Sequence, residues 1–586
     1  MSMPQTVCEA FQHTKTIDPD AVAFRSPGDA VSVTWREYDE RVRALAAGFA
    51  AIGVQRGDTV AFMMRNRPEF ALVDSGAMHA GAACFSAYNT SSPEQLAYLL
   101  RHSGAKVMVC ESIMVDRVVE SGVELDQIVC IDGAVAGATM TLEELEQAGA
   151  PDYDFEAGWR AVQPDDICTL IYTSGTTGAP KGVRITHANI LAQVLGYNEI
   201  VPTTFGDRMT SFMPAAHVAD RVSTLYWMAV IGFQITYVDD PKAILPALLD
   251  TRPTVWFAVP RVWEKFRAAL EAKIVGEPDD AKRAVVEGAL ALGRARARAE
   301  LAGGKLSAED EAKWSRLDAA VLSQLRAGIG LDQARVSLCG SAPIAAETLE
   351  FFLAIGVKVI EVWGMSETCG IGTINPPDGI RLGTVGVAFP GCEVKLAADG
   401  ELLFRGPVLT PGYRDNPTQT AEAIDADGWL HTGDIARIDD DGYVKIVDRK
   451  KEIIISAGGK NMSPANIENA IKGACPLIGA VAVIGDGKPY NVGLITLDPD
   501  AAAALATKID VDADAATITA HPKVLETIEA GVEAGNATLS RVEQIKKYTV
   551  LPVFWEPGGA ELTPTMKLRR KPISEKYATE IDALYA

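Results

Sequence analysis

The segment Thr173-Ser174-Gly175-Thr176-Thr177-Gly178-Ala179-Pro180-Lys181-Gly182 gathers hydroxyls, glycines and one lysine directly behind an apolar run at residues 167–172. Glycines at 175, 178 and 182 let the backbone close on an anion, because a residue without Cβ reaches conformations that others avoid. The hydroxyls of Thr173, Ser174, Thr176 and Thr177 are donors, and Lys181 adds a mobile positive charge. This is the chemistry of a phosphate cradle. It is not the G-x-x-x-x-G-K-[ST] loop, in which the lysine follows a glycine; Lys181 follows Pro180. A flexible linker has a similar composition, but it needs neither a buried strand in front nor a lysine.

Three further segments hold candidate chemistry. EVWGMSET, residues 361–368, follows the predicted strand Lys358-Val359-Ile360, which puts it at the carboxyl end of that strand, where open α/β sheets bind ligands. Glu367 there is a hard-oxygen ligand suited to a phosphate-bound Mg²⁺, with a surface carboxylate as the plain alternative. Trp363 can stack on a purine or simply fill a core. In WLHTGDIA, residues 429–436, Asp434 stands behind Gly433 and suits bidentate hydrogen bonding to two ribose hydroxyls; a β-turn explains that triplet equally well. Lys567 lies in LTPTMK near the chain end, where domain motion can deliver it to a nucleotide.

The elements that must position these groups are legible in outline. Apolar positions at three-to-four spacing predict a helix from Thr34 to Gly53, and β-branched runs at 59–63, 106–110, 254–259 and 357–360 predict strands. Their alternation predicts a largely parallel α/β sheet covered on both faces. From Trp263 to about Gly328 the composition turns helical, with starts at Pro278-Asp279 and Ser307 and a break at Gly303-Gly304. Arg294, Arg296 and Arg298 there read as a solvated face. After Val385 short strands with Gly-Asp turns appear, and a charged break begins at Asp448. The expected architecture is therefore α/β: a large N-terminal domain, residues 1–447, of β-sheets packed by helices, and a small C-terminal α+β domain, residues 448–586, on a hinge.

At 586 residues the chain exceeds one hydrophobic core. Its formal net charge of -22 disfavours nucleic acid as a partner and requires any phosphate site to be built from local positive charge. Lys450, Lys451, Lys460, Lys546, Lys547, Lys567, Arg569, Arg570 and Lys571 form a basic island in the predicted small domain. The 9 cysteines include no C-x-x-C pair, which fits a reducing cytosol and a cytoplasmic location, with Cys168 a small buried hydrophobe. The first residues carry no signal-peptide core. The 17 uncharged residues 222–238 are short and polar-diluted for a membrane span and read as a helix running into a buried strand.

Together these segments resemble the adenylate-forming enzymes, the superfamily of acyl-CoA synthetases, luciferases and peptide-synthetase adenylation domains, from about Thr34 to Lys571. The resemblance implies two steps. A carboxylate attacks the α-phosphorus of ATP·Mg²⁺ to give an acyl-adenylate and pyrophosphate, and a thiol, usually of coenzyme A, then displaces AMP. It implies that Thr173 to Lys181 hold the β- and γ-phosphates and Glu367 the Mg²⁺. Asp434 and Arg449 then hold the ribose, with Trp363 against adenine and Gly364, Met365 and Ser366 also in the nucleotide site. Lys567 bridges carboxylate and α-phosphate, Lys451 is the hinge, and Gly459 lines the pantetheine channel. SFMPAAHVADR (211–221), VPRVWEKF (259–266), GSAPI (340–344) and the helical insertion after Phe266 are similar to the long-chain fatty acid–CoA ligases. In that group His217 sits near the acyl carboxylate, while Gly340, Ser341, Ala342 and Pro343 line the acyl pocket. No aspartate for an amino group stands at Ala215-Ala216-His217, and no Gly-Gly-x-Ser carrier motif follows. Two departures are Trp363 in place of the usual tyrosine and the absence of a glycine before Lys567.

The partners so implied are a fatty acid, ATP and coenzyme A, without nucleic acid; a lipophilic product makes transient membrane contact reasonable. Three alternatives stay open: an aryl or sterol-side-chain acid, a carrier-protein thiol as acceptor, and a non-catalytic acyl- or nucleotide-binding relative. The last has no use for Lys181, Glu367, Asp434, Arg449 and Lys567 together.

Overall fold

The computed structural model describes residues 3–173, 179–455, 461–563 and 566–586. The chain divides into two compact units. The first comprises Met1–Ser341, Leu349–Val394 and Phe404–His431; the second comprises Ala342–Thr348, Lys395–Leu403 and Thr432–Ala586. The second unit thus takes in short stretches well before Asp448, where the sequence places the boundary.

The first unit is built on three sheets. The largest has 7 strands in the order Met140–Thr141, Gln127–Cys130, Ala105–Cys110, Thr59–Met63, Ala83–Ser86, Ile167–Thr173 and Lys181–Thr186. All neighbours are parallel except the last pair, which is antiparallel. Parallel strands are buried on both faces, and Thr59–Met63 and Ala83–Ser86 are buried at every position. A second sheet pairs Arg208–Ser211, Gln234–Tyr237, Val22–Arg25 and Ser32–Thr34. The third orders Val255–Ala258, Val336–Cys339, Val359–Trp363, Thr373–Ile374 and Val387–Ala388.

Local chemistry sets the helix ends. Thr34 caps Trp35–Ala51 through a reciprocal bond with Glu37. Asp279 and Ser307 cap Asp280–Leu301 and Ala308–Leu317, at the predicted starts. Arg296 and Arg298 on that insertion pair with Glu300, Glu311 and Glu350, so their charge is answered locally. VPRVWEKF is a packing element: Trp263 is fully buried, edge-on to Trp256 at 4.9 Å and to Phe352 at 4.8 Å. Each such pair adds about 0.5–1.5 kcal/mol beyond its burial. The uncharged 222–238 run forms a π-helical turn, Arg221–Tyr226, then the helix Trp227–Ile231 and the strand Gln234–Tyr237. Among the described residues no helix is long and apolar enough to cross a membrane. Cys168 is fully buried, and burial pushes its thiol up to about 12.

The second unit holds Asp434–Arg449 as an antiparallel hairpin, a sheet of Ile478–Ile484, Asn491–Leu497 and Ile545–Val550, and the helices Pro464–Ala474 and Pro522–Ala537. Its core gathers Ile467, Ile471, Val481, Ile495, Val524 and Ile528. The predicted basic island is partly neutralised there: Lys450 lies 2.5 Å from Asp399 and 3.0 Å from Glu401, and Arg570 is paired with Glu452 and Glu468.

Candidate active site

Ser174, Gly175, Thr176, Thr177 and Gly178 of the predicted cradle, and Gly459, lie outside the described residues. The cradle's two ends are fixed by strands. Thr173 closes Ile167–Thr173 and stands in register opposite Lys181, the first residue of Lys181–Thr186. The approach is held from the helix Pro93–Ser103: Tyr98 donates its hydroxyl to the Pro180 carbonyl at 2.9 Å, and His102 Nδ1 is 3.0 Å from the Tyr172 hydroxyl.

A later loop packs on the lysine strand. The Arg184 N–H donates to Gly412, the Arg414 N–H donates to Gly182 at 2.8 Å, and Tyr413 bridges Val183. This docking places the Tyr413 ring 4.6 Å from Lys181 Nζ, as a cation–π contact. The same tyrosine donates its hydroxyl to Glu367 Oε1 at 2.8 Å. Burial, and then the Glu367 carboxylate, hold the Tyr413 phenol far above its ordinary pKa, so it remains a donor at neutral pH. The candidate phosphate lysine and the candidate metal carboxylate are therefore joined through one side chain that the sequence reading passed over. Its neighbours Pro411 and Gly412 signal only a turn, and nothing local says where the turn docks.

Glu367 is 7% exposed. It sits on a short turn, Ser366–Thr368, just beyond the strand Val359–Trp363. The strand runs three residues further than its predicted end, because Val362 and Trp363 pair with Ile374 and Thr373. The turn starts at Gly364, where any Cβ would stand 1.6 Å from the Gly370 carbonyl oxygen. The Met365 N–H donates to the Thr368 hydroxyl, and the Thr410 N–H to the Glu367 carbonyl, closing the turn from both sides. Trp363 is 8% exposed, with its ring against Gly372 and tilted to Phe404 at 6.2 Å.

His217 heads a short turn, and its Nδ1 accepts the Ala219 N–H at 3.2 Å. In the neutral ring this leaves the proton on Nε2, a donor suited to a carboxylate. A buried polar knot fixes the segment that carries it. Arg221 pairs with Asp74 and donates to Ser86 and to the Tyr226 hydroxyl. Asp220 accepts from Ser211 at 2.9 Å and Asn66 at 3.3 Å, and burial pushes its carboxyl up to about 7. Gly340 is buried and Ser341 has φ 73°, a left-handed conformation that costs a non-glycine residue energy and clusters at functional sites. Ala342 and Pro343 are exposed.

In the second unit, Asp434 and Arg449 face each other across the hairpin, with Arg449 Nε 2.9 Å from Asp434 Oδ1. Asp434 does not follow a β-turn. It lies inside the strand Leu430–Ile438, after Gly433 at φ 72°. Lys451 is exposed on a turn behind Arg449. Lys567 is exposed, its N–H donating to the Thr563 hydroxyl at 3.0 Å and its carbonyl accepting the Thr563 N–H at 2.8 Å.

Residues 11–414 match the AMP-binding enzyme family, and residues 451–586 match the AMP-binding enzyme C-terminal domain. A Mycobacterium tuberculosis protein bearing a fatty-acid–CoA ligase name, fadD11, is 52% identical over 77% of this chain and 79% of its own. The long-chain-fatty-acid–CoA ligase FadD15 of Mycobacterium tuberculosis is 36% identical over 98% of this chain and 96% of its own. Among solved structures, the adenylation domain of a Mycobacterium chelonae carboxylate reductase superposes with a TM-score of 0.77 at 20% identity, covering 99% of this chain and 91% of that one. With Lys181, Tyr413 and Glu367 brought together at the candidate site, these matches establish that the chain belongs to the AMP-binding enzyme family.

Proposed function

We propose that the protein activates a long-chain fatty acid with ATP and transfers the acyl group to coenzyme A. In the first step a carboxylate oxygen attacks the α-phosphorus, the bond to the β-phosphate oxygen breaks, and pyrophosphate leaves. In the second, the coenzyme A thiolate attacks the acyl carbon and AMP departs. Both steps gather negative charge, so the protein's work is positioning and electrostatic stabilisation.

Lys181 and the donors of Thr173–Lys181 bind the β- and γ-phosphates. Asp434 and Arg449 hold the ribose, His217 orients the acyl carboxylate through its Nε2 proton, and Lys567 bridges that carboxylate and the α-phosphate. Residues 1–447 and 448–586 act as body and lid about Lys451; the family match that begins at residue 451 supports this division. Glu367 would hold Mg²⁺, which would supply neutralisation of charge on the phosphate oxygens. The donor set suits it. Glu367 offers one buried carboxylate, and Mg²⁺ is usually held by one or two carboxylates together with phosphate oxygens and water.

The observation that carries this reading is the Tyr413 bridge between Lys181 and Glu367. The identity and near-complete coverage of FadD15 support the choice of acid. A panel of carboxylic acids of varied length, read by pyrophosphate release with and without coenzyme A, tests it. Long-chain acids are expected to turn over fastest, with thioester formed only when coenzyme A is present. Fastest turnover on aromatic, sterol-side-chain or short acids rejects the fatty-acid assignment.

A further inference from the structure

Lys567 is held by more than its own loop. Leu562 and Leu568 bridge the loop's base, and the Arg569 N–H donates to the Glu561 carbonyl at 2.8 Å. The next residue, Arg570, opens the helix Arg570–Lys576. Its guanidinium reaches in two directions. Nη1 and Nη2 make a fork on Glu468, at 2.7 Å to Oε1 and 2.9 Å to Oε2. Nε donates to Glu452 Oε2 at 3.1 Å.

The two arms do different work. Glu468 lies on Pro464–Ala474, is 6% exposed, and also accepts the Val483 N–H, so it belongs to the lid's core. Glu452 is the residue after Lys451, in a turn closed by its own N–H donating to the Arg449 carbonyl at 2.9 Å. Asp448, just before that turn, accepts from Ser463 and from the Ala465 N–H at the start of the same helix. The Glu468 fork neutralises the partly buried Arg570 guanidinium within the core of the second unit. The Glu452 arm is a single bond to a partly exposed carboxylate, and it reaches the turn that follows the proposed hinge residue.

We propose that Arg570 is a positioning residue that ties the Lys567 loop to the distal side of the hinge turn, so that rotation about Lys451 moves the lysine without slack. This rests on the roles proposed above for Lys567 and Lys451. A loop free to lag the lid would place its amine with a spread of positions, and a misplacement of about 1 Å in such a contact costs rate on the order of 10²-fold. The linkage matters for the step that uses Lys567 and not for the thioester step.

The test is a half-reaction comparison of Glu452→Ala, Arg570→Lys and Lys567→Ala in the full-length protein, with a thermal melt of each. Adenylate formation is read by pyrophosphate release without coenzyme A, and thioester formation is read from supplied acyl-adenylate. Expected for Glu452→Ala is a loss of about tenfold or more in adenylate formation, with thioester formation within about twofold and an unchanged melting temperature. Arg570→Lys, which keeps the charge and loses the fork, is expected to show the same selectivity. Equal losses in both half-reactions, or losses that track the melting temperature, overturn the linkage and leave a structural ion pair only. Wild-type adenylation in Glu452→Ala while Lys567→Ala is inactive overturns the linkage alone. Adenylation that survives Lys567→Ala overturns the underlying role of the lysine, and the linkage with it.

Discussion

At the scale of single residues, Tyr413 does the joining. Its ring meets a cation and its hydroxyl meets a carboxylate, so the two groups proposed to act on one polyphosphate are held through a single side chain. Tyr413→Phe keeps the ring and removes one hydrogen bond to a charged carboxylate, worth about 1.5 kcal/mol. Adenylation is expected to fall about tenfold, with a raised Mg²⁺ requirement, when initial rates are measured across a Mg²⁺ series. Tyr413→Leu also removes the cation–π contact and is expected to fall further; equal rates in the two variants would show that the lysine contact carries nothing. Sequence reading could name Lys181 and Glu367, because each stands in a dense run of unusual chemistry. It could not name Tyr413, whose only local sign is a Pro-Gly turn. Trp363 was legible as an aromatic at the site and as a core residue; the structure gives it core packing against Gly372 and Phe404.

At the scale of elements, two placements are testable. Gly364 permits the turn that brings Glu367 round, and Gly364→Ala drives a methyl into the Gly370 carbonyl. A destabilisation of about 1–3 kcal/mol is expected, read as a lower melting temperature. The second concerns His187, the first residue of the helix His187–Ile200. Its Nδ1 accepts the Val7 N–H at 3.2 Å, a bond only the neutral ring can accept, and burial lowers its pKa from 6.5 to about 3. The folded pKa lies below the unfolded one, so its contribution is complete above pH 6.5 and is lost as pH falls toward 3. His187→Asn keeps an acceptor and removes the titration. The variant is expected to flatten the dependence of stability on pH between 6.5 and 5 by about 1 kcal/mol per unit, measured by denaturant melts. An unchanged slope would refute the neutral assignment.

Element ends governed by local chemistry were readable: Thr34, Asp279 and Ser307 cap where their side chains predict. Strand ends were less so, because Val362 and Trp363 extend their strand by pairing with partners found only in the fold. Asp434 illustrates the same limit. Its glycine reads as a turn, yet the pairing with Arg449 makes it an interior strand position.

At the scale of the molecule, a strongly acidic chain is proposed to bind a polyanion through a few placed cations, and several of its other cations are already paired. Lys450 and Arg570 answer acidic partners inside the second unit, which leaves composition a poor guide to where a nucleotide goes. The change of texture after Val385 was visible, while the short segments 342–348 and 395–403 that join the second unit were not, since their membership depends on long-range packing. The proposed hinge makes its own prediction. Lys451→Pro fixes φ there and pushes Lys450 toward extended backbone. Adenylation is expected to persist while thioester formation slows several-fold in single-turnover assays; an unaltered overall rate would count against rotation about this residue.

The central claim is an acyl-adenylate intermediate, and isotope exchange reads it most directly. Incubated with ATP, Mg²⁺ and a long-chain fatty acid but no coenzyme A, the protein is expected to move labelled pyrophosphate into ATP, and to stop when the acid is withheld. Exchange that requires coenzyme A, or release of ADP and phosphate in its place, would contradict the account.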